Sequence, residues 1–232
     1  EGFKNAVIKK GINQDKISVV YNWNTSSEVN KGHSQKNFKE LFKLDKDSFL
    51  VMYAGNISSS AGVKEIINIF SNICLLEKRA YLCIAGEGSQ HKSCMNLVDR
   101  LKCKNIFFYY PWKSNETESL LNSADLLILP TLGDQALYSV PSKLISYMQA
   151  KKAIFTIAHS KSDLYSIVLN SKSGWAVELD EAEGRLLEAI KTSAIKLNEY
   201  GINAFNYGNK YFNANLNLEK LADIITNAKK NI

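Results

Sequence analysis

Residues Ala124 to Thr156 read ADLLILPTLGDQALYSVPSKLISYMQAKKAIFT, and their pattern decides the fold. The apolar run Leu126-Leu127-Ile128-Leu129 has the length and continuity of a strand buried on both faces, and Pro130 ends it. Beyond a polar loop, Leu144, Ile145, Tyr147 and Met148 recur at helical spacing behind Val140-Pro141-Ser142-Lys143. A proline near the first helical position marks a helix start, whose free backbone N–H groups carry partial positive charge. Such an end suits an anion, most often a phosphate. Ala153-Ile154-Phe155-Thr156-Ile157 reads as the next parallel strand. The unit is therefore a βαβ crossover whose loop lies at the carboxyl end of the sheet, the edge where open α/β sheets bind ligands.

The same alternation extends upstream. Phe49 to Tyr53 is a continuous apolar strand ended by Gly55-Asn56, and Ser58 to Gly62 leads into a helix with Ile66, Ile69, Phe70 and Ile73 on one face. Its serines are expected to cap the helix. Tyr81 to Ala85 is a strand, Gly86-Glu87-Gly88 a turn, and a helix follows to about Leu101. Asn105 to Tyr110 is a strand, Pro111-Trp112 opens a loop, and Glu116 to Asn122 is a short helix. Downstream, Lys161 to Asn170 is helical, Gly174 to Val177 is a last strand, and two or three helices close the chain. The final helix places Leu218, Leu221, Ile225 and Ala228 on one face. At the other end, Glu1 to Lys10 reads as a helix and Ile17 to Tyr21 as a short strand, while residues from about Thr25 to Asn37 read as a linker or loop. The fold class is α/β, a Rossmann-like doubly wound parallel sheet.

The composition suits one large α/β domain, or one domain carrying pieces of a neighbour: 232 residues, 45% hydrophobic. The net charge of +6 is scattered rather than blocked, so the basic residues read as solvated faces and nucleic acid is not an expected partner. No apolar run approaches the ~20 residues of a membrane span, and no signal peptide is visible. Cys74, Cys83, Cys94 and Cys103 form no CxxC pair, which reads as reduced thiols in a cytoplasmic protein rather than a metal cluster. The three histidines show no metal-ligand spacing: His33 and His91 are expected at the surface, and His159, just past a strand end, is a candidate ligand-site residue. No metal is expected. The G-x-G-x-x-G dinucleotide fingerprint is absent, Gly86-Glu87-Gly88 lacking the third glycine, and neither a P-loop nor a G-x-S-x-G elbow occurs. That opposes a dinucleotide-dependent enzyme such as a sugar epimerase. What remains is a set of strand ends, at Gly55-Asn56, Gly86 to Gly88, Tyr110 to Trp112, Pro130-Thr131 and Ser139 to Lys143, which a parallel sheet gathers on one crevice.

The series YAGNI, IAGEGS, NIFFYYPW, ADLLILP and VPSKLISYMQAKKAIF, spread over roughly Ile17 to Val177, resembles the carboxyl-terminal domain of glycosyltransferase family 4, of GT-B fold. It is most similar to bacterial surface-polysaccharide and capsule members with a Pro-Ser-Lys-Leu helix. The resemblance implies the donor-binding half of a retaining, hexosyl-type transferase that moves a sugar from a nucleotide-diphosphate sugar to a glycan or lipid-linked acceptor. On that reading residues 1–24 end an acceptor domain and its connection, residues 25–215 form the nucleotide-sugar-binding domain, and residues 216–232 form an amphipathic carboxyl-terminal helix. The acceptor half is missing from this chain. The nucleotide sugar is a substrate, no cofactor is implied, and the full-length protein is expected in the cytoplasm, peripherally at the inner face of the membrane.

The resemblance further implies that Gly55 and Asn56 lie beside the donor phosphates and that Ser139, Val140, Pro141, Ser142 and Lys143 hold the diphosphate. Gly86, Glu87 and Gly88 would approach the nucleoside, with Tyr110, Pro111 and Trp112 around its base. In the family two glutamates separated by seven intervening residues contact the sugar and the ribose; here those positions are Tyr138 and Ser146. The family's basic pair after the first strand falls at Asn56 and Ala61, and the Gly and Pro after the helix at Lys151 and Ala153. Asp134 and Glu87 are the carboxylates at hand to replace the missing pair. These departures keep open an alternative, a non-catalytic binding or scaffold domain descended from a transferase.

Overall fold

The run Leu126–Pro130 is a strand with every residue buried, as a continuous apolar strand must be when both faces are covered. In the computed structural model, residues 2–23, 36–111, 113–133 and 137–230 are described. Six strands occur among them: β1 (Phe49–Ala54), β2 (Ala80–Ala85), β3 (Ile106–Tyr109), β4 (Leu126–Pro130), β5 (Ala153–Ile157) and β6 (Gly174–Val177). All neighbours run parallel, in the order β3-β2-β1-β4-β5-β6. The helices are α1 (Gly2–Lys9), α2 (Phe38–Leu41), α3 (Val63–Leu76), α4 (His91–Leu101), α5 (Thr117–Ser123), α6 (Ser142–Gln149), α7 (Asp163–Asn170), α8 (Ala182–Ile190), α9 (Ala194–Tyr211) and α10 (Ala214–Lys230).

Two apolar layers sandwich the sheet. Ile66, Phe70 and Cys94 of α3 and α4, with Leu186 and Ile190 of α8, pack on one face. Leu120, Leu144, Met148, Leu164 and Ala204, from α5, α6, α7 and α9, pack on the other. The strand order reverses between β1 and β4. The chain leaves β1 toward α3 on one face and leaves β4 toward α6 on the other, so their carboxyl ends part and leave a crevice at this switch point. The α/β, Rossmann-like doubly wound architecture expected from the sequence is the observed one.

Two local expectations fail. Ile17 to Tyr21 forms no strand: no ladder pairs with it among the described residues, and Tyr21 is held edge-on by Tyr211 and Phe212 at centroid distances of 6.3 and 5.6 Å. The serines before α3 do not cap it, because Gly62 occupies the N-cap position, while the Ser58 and Ser60 hydroxyls lie 3.3 Å apart and bond each other. Most of the predicted linker, with His33, lies outside the described residues. At the chain ends, α1 buries none of its residues, although the Gly2 N–H donates to both carboxylate oxygens of Asp163 at 3.0 and 2.8 Å. On α10, Leu218, Leu221 and Ile225 stay exposed, so its apolar stripe is not covered by this domain.

Candidate functional site

Pro141 is the N-cap of α6, with φ −62° and ψ 136°, and Ser142 is the first helical residue. The proline ring supplies the extended entry conformation and cannot cap, so no side chain satisfies the first-turn N–H groups of the helix. Lys143 follows in that first turn and reaches across the β1/β4 crevice. A Cβ placed on Gly55 would lie 1.9 Å from Lys143 Cε and 3.1 Å from its Nζ, so only a glycine leaves the slot in which the lysine lies. The ammonium also stands 5.2 Å from the centroid of the Tyr53 ring. Lys143 is half-buried and ion-paired to no carboxylate among the described residues; burial lowers its pKa from the ordinary lysine value. A desolvated cation beside an uncapped helix start is an arrangement that an anion would stabilise twice over.

Tyr147, one turn further along α6, fixes that placement. Its buried hydroxyl accepts from the Ala54 N–H at 2.8 Å and lies 3.3 Å from the Ala54 carbonyl, tying the helix to the last residue of β1. The loops after β1 and β2 are zipped together in turn. Gly55 N donates to Ala85 O at 2.8 Å, Ile57 N to Glu87 O at 2.8 Å, and Gln90 N to Ile57 O at 2.9 Å. Gly86 has φ +148°, and a Cβ there would meet Gly55 O at 2.0 Å; one on Gly88 would meet Asn56 Oδ1 at 2.4 Å. The glycines therefore serve backbone approach between loops as well as leaving space at the crevice. The Asn56 side of the loop is exposed, with its carbonyl accepting the Tyr53 hydroxyl.

On the β3 side, Gly86 N donates to Tyr109 O at 3.1 Å, and the Tyr110–Pro111 peptide is cis. Tyr110 is exposed, and its hydroxyl is hydrogen-bonded to the Glu87 carboxylate, which raises the tyrosine pKa. His91, expected at the surface, is half-buried: its ring packs 5.3 Å from Phe108 and 6.0 Å from Tyr110, because the first turn of α4 lies against the end of β3. Below them the carboxylate of Glu116, a residue the sequence marks only as a helix start, is nearly inaccessible. It accepts from Lys36 at 2.5 Å, from the Tyr109 hydroxyl at 3.3 Å and from Lys113 N at 3.2 Å. The Lys36 hydrogen bond, first among these, lowers its pKa.

The structure thus brings Gly55, Asn56, Gly86, Glu87, Gly88, Tyr110, Pro111, Pro141, Ser142 and Lys143 to one edge of the sheet. Ser139 and Ser142 are exposed, and Val140 packs against the layer beneath. Ser146 shares a helix face with Lys143, half-buried, while Tyr138 is exposed. Trp112 and Asp134 lie outside the described residues. His159 is exposed, and its Nδ1 accepts from Lys161 N at 3.1 Å, which closes a turn. No group of three or more His, Cys, Asp or Glu side chains that could hold a metal ion occurs among the described residues. The sequence gathers Gly55 and Lys143 on one crevice, but their direct contact depends on β1 and β4 being neighbours in the sheet, which a linear pattern does not specify.

The family model described as Glycosyl transferases group 1 matches residues 34–205, well over half of the chain. The chain belongs to the glycosyl transferases group 1 family. Its fold is that of solved members of the GT-B class: a glycosyltransferase from Rickettsia africae superposes with a TM-score of 0.79 at 18% identity, over 100% of this chain and 62% of that one. HepE of Anabaena, solved with UDP-glucose, gives a TM-score of 0.76 at 14% identity, over 97% of this chain and 61% of that one. TarM of S. aureus, a point mutant of which was solved with fondaparinux, alpha-GlcNAc-glycerol and UDP, gives 0.74 at 12%, over 97% and 42%. This group 1 chain therefore spans less than two thirds of the length of these structures. No curated protein matches its sequence. No described helix is long and apolar enough to cross a membrane.

Proposed function

We propose that this chain is the donor-binding domain of a retaining glycosyltransferase that uses a nucleotide-diphosphate sugar. Its acceptor would be a glycan or lipid-linked glycan of a bacterial surface polysaccharide, at the cytoplasmic face of the membrane. The observation that carries this reading is the half-buried Lys143 ammonium in the first turn of α6, lying over Gly55 at the β1/β4 switch point. Cleavage of the sugar–phosphate bond leaves negative charge on a nucleoside diphosphate. A fixed ammonium and preorganised helix-end N–H groups stabilise that charge as it develops, without reorganisation. In this reading Ser142 and the α6 N–H groups receive the diphosphate with Lys143, Gly55 and Asn56 line its approach, and Glu87, Tyr110, Pro111 and Trp112 form the nucleoside side. Ser146, on the Lys143 face of α6, takes the ribose position. The UDP and UDP-glucose in HepE and the UDP in TarM support a nucleotide-sugar donor.

Two features favour a second reading, a non-catalytic domain. Tyr138 and Ser146 stand where the resemblance places carboxylates, so strong acceptors for sugar and ribose hydroxyls are missing there. Product analysis with the full-length protein separates the two. Transfer of sugar from a nucleotide donor with retention of the anomeric configuration supports the enzyme. Nucleotide binding with no transfer or donor hydrolysis, across donors and acceptors, supports the scaffold.

A further inference from the structure

Cys74 lies in the last turn of α3, and Cys103 lies between α4 and β3, so both sit at the amino-terminal edge of the sheet, opposite the loops of the candidate site. The two are 29 residues apart in sequence, yet their sulfurs are 2.7 Å apart. They are brought there by α3 and α4, which pack side by side on one face of the sheet through Ile73, Cys74, Cys94 and Val98. Cys74 is buried, its thiol donating to Ser71 O at 3.2 Å, whereas Cys103 is only half-buried. No other pair of thiols is in contact among the described residues, and Cys83 and Cys94 are fully buried in separate layers.

We propose that Cys74 and Cys103 are a redox-active dithiol, which a small disulfide such as oxidised glutathione closes into a staple joining α3 to the α4–β3 turn. Cys103, the accessible member, attacks as the thiolate. A Cys103–glutathione bond forms, the glutathione disulfide breaks, and one glutathione leaves. Cys74 then loses its proton and attacks Cys103 Sγ, so that the Cys74–Cys103 bond forms and the second glutathione leaves. Two protein thiols are oxidised, one oxidant disulfide is reduced, and their two protons end on the two glutathione thiols. Burial pushes the Cys74 thiol up to about 12, which suits it to the second, intramolecular step rather than to the first attack. The sequence shows no sign of this, because 29 residues separate the two cysteines and neither belongs to a CxxC motif.

The test is incubation of the folded 232-residue chain with excess oxidised glutathione, followed by intact mass, thiol titration after denaturation, and non-reducing peptide mapping. The expected result is a mass lower by two hydrogens, a fall from four titratable thiols to two, and a cross-linked peptide pair carrying Cys74 and Cys103. The thermal midpoint should rise by about 5–10 °C over the reduced chain, a gain that Cys103→Ser and Cys74→Ser both abolish. A glutathione adduct that persists on Cys103, four free thiols, or a cross-link involving Cys83 or Cys94 would each overturn the proposal, and none of these readouts depends on the variants folding.

Discussion

Lys143 carries its charge where burial works against it, and that tension is testable. Its pKa is lowered in the free domain, so at alkaline pH part of the population is neutral. A bound diphosphate favours the ammonium and restores the proton, so binding is accompanied by proton uptake that grows as pH rises toward the lowered pKa. Titration calorimetry in two buffers of different ionisation enthalpy should show this uptake for the native chain and lose it in Lys143→Ala. The glycines beside it separate by what stands in the way of a Cβ. At Gly55 the obstacle is the flexible end of Lys143, so Gly55→Ala should cost about 1–3 kcal/mol of stability, mostly from its φ of +147°. At Gly86 it is the Gly55 carbonyl at 2.0 Å, which cannot step aside, so Gly86→Ala should cost about 3 kcal/mol or more. Urea unfolding of the two variants checks the order.

At the scale of elements, α6 is aimed by Tyr147. Tyr147→Phe leaves the Ala54 N–H without its buried acceptor, and should lower stability by about 1–3 kcal/mol while loosening the helix that carries Lys143. The denaturant midpoint and nucleotide affinity should fall together. The α5 end of the domain is held by Glu116, which makes stability pH-dependent. Its folded pKa lies below the unfolded value near 4.5, so its contribution is complete above that value and is lost as pH falls through the lowered folded pKa. Glu116→Gln should flatten the acid limb of the stability profile below pH ~4.5 and leave its slope near neutral unchanged, read by urea midpoints across pH. The strands and helices themselves were legible, because Leu126 to Leu129 and their counterparts form buried runs whose length and period admit one reading. Ile17 to Tyr21 had the same local pattern and misled, since a strand also needs a partner ladder that only the tertiary fold supplies. The site was legible as a list of loops, by the rule that parallel strands open at one edge. The Lys143 slot over Gly55, the Glu116 carboxylate held by Lys36 and Tyr109, and the Cys74–Cys103 contact were not, because each joins residues whose meeting depends on strand order or on how helices pack.

At the scale of the molecule, the strand order puts the reversal point between β1 and β4, and that choice concentrates Lys143, Gly55 and the start of α6 in one crevice. The chain spans 42–62% of the solved transferases compared above, and α1 and the apolar stripe of α10 face outward. In the proposed enzyme the acceptor is held by a second domain, so this chain alone should bind nucleotide with negligible transfer, and transfer should require the full-length protein. The most direct test of the central claim is calorimetric titration of the chain with UDP and with GDP, repeated on Lys143→Ala. The account predicts one-to-one binding of a nucleoside diphosphate that the substitution weakens by about 1–3 kcal/mol, roughly 5- to 150-fold, the range for a charge-assisted contact. Binding unchanged in Lys143→Ala, or no binding of either diphosphate by a folded sample, would contradict it.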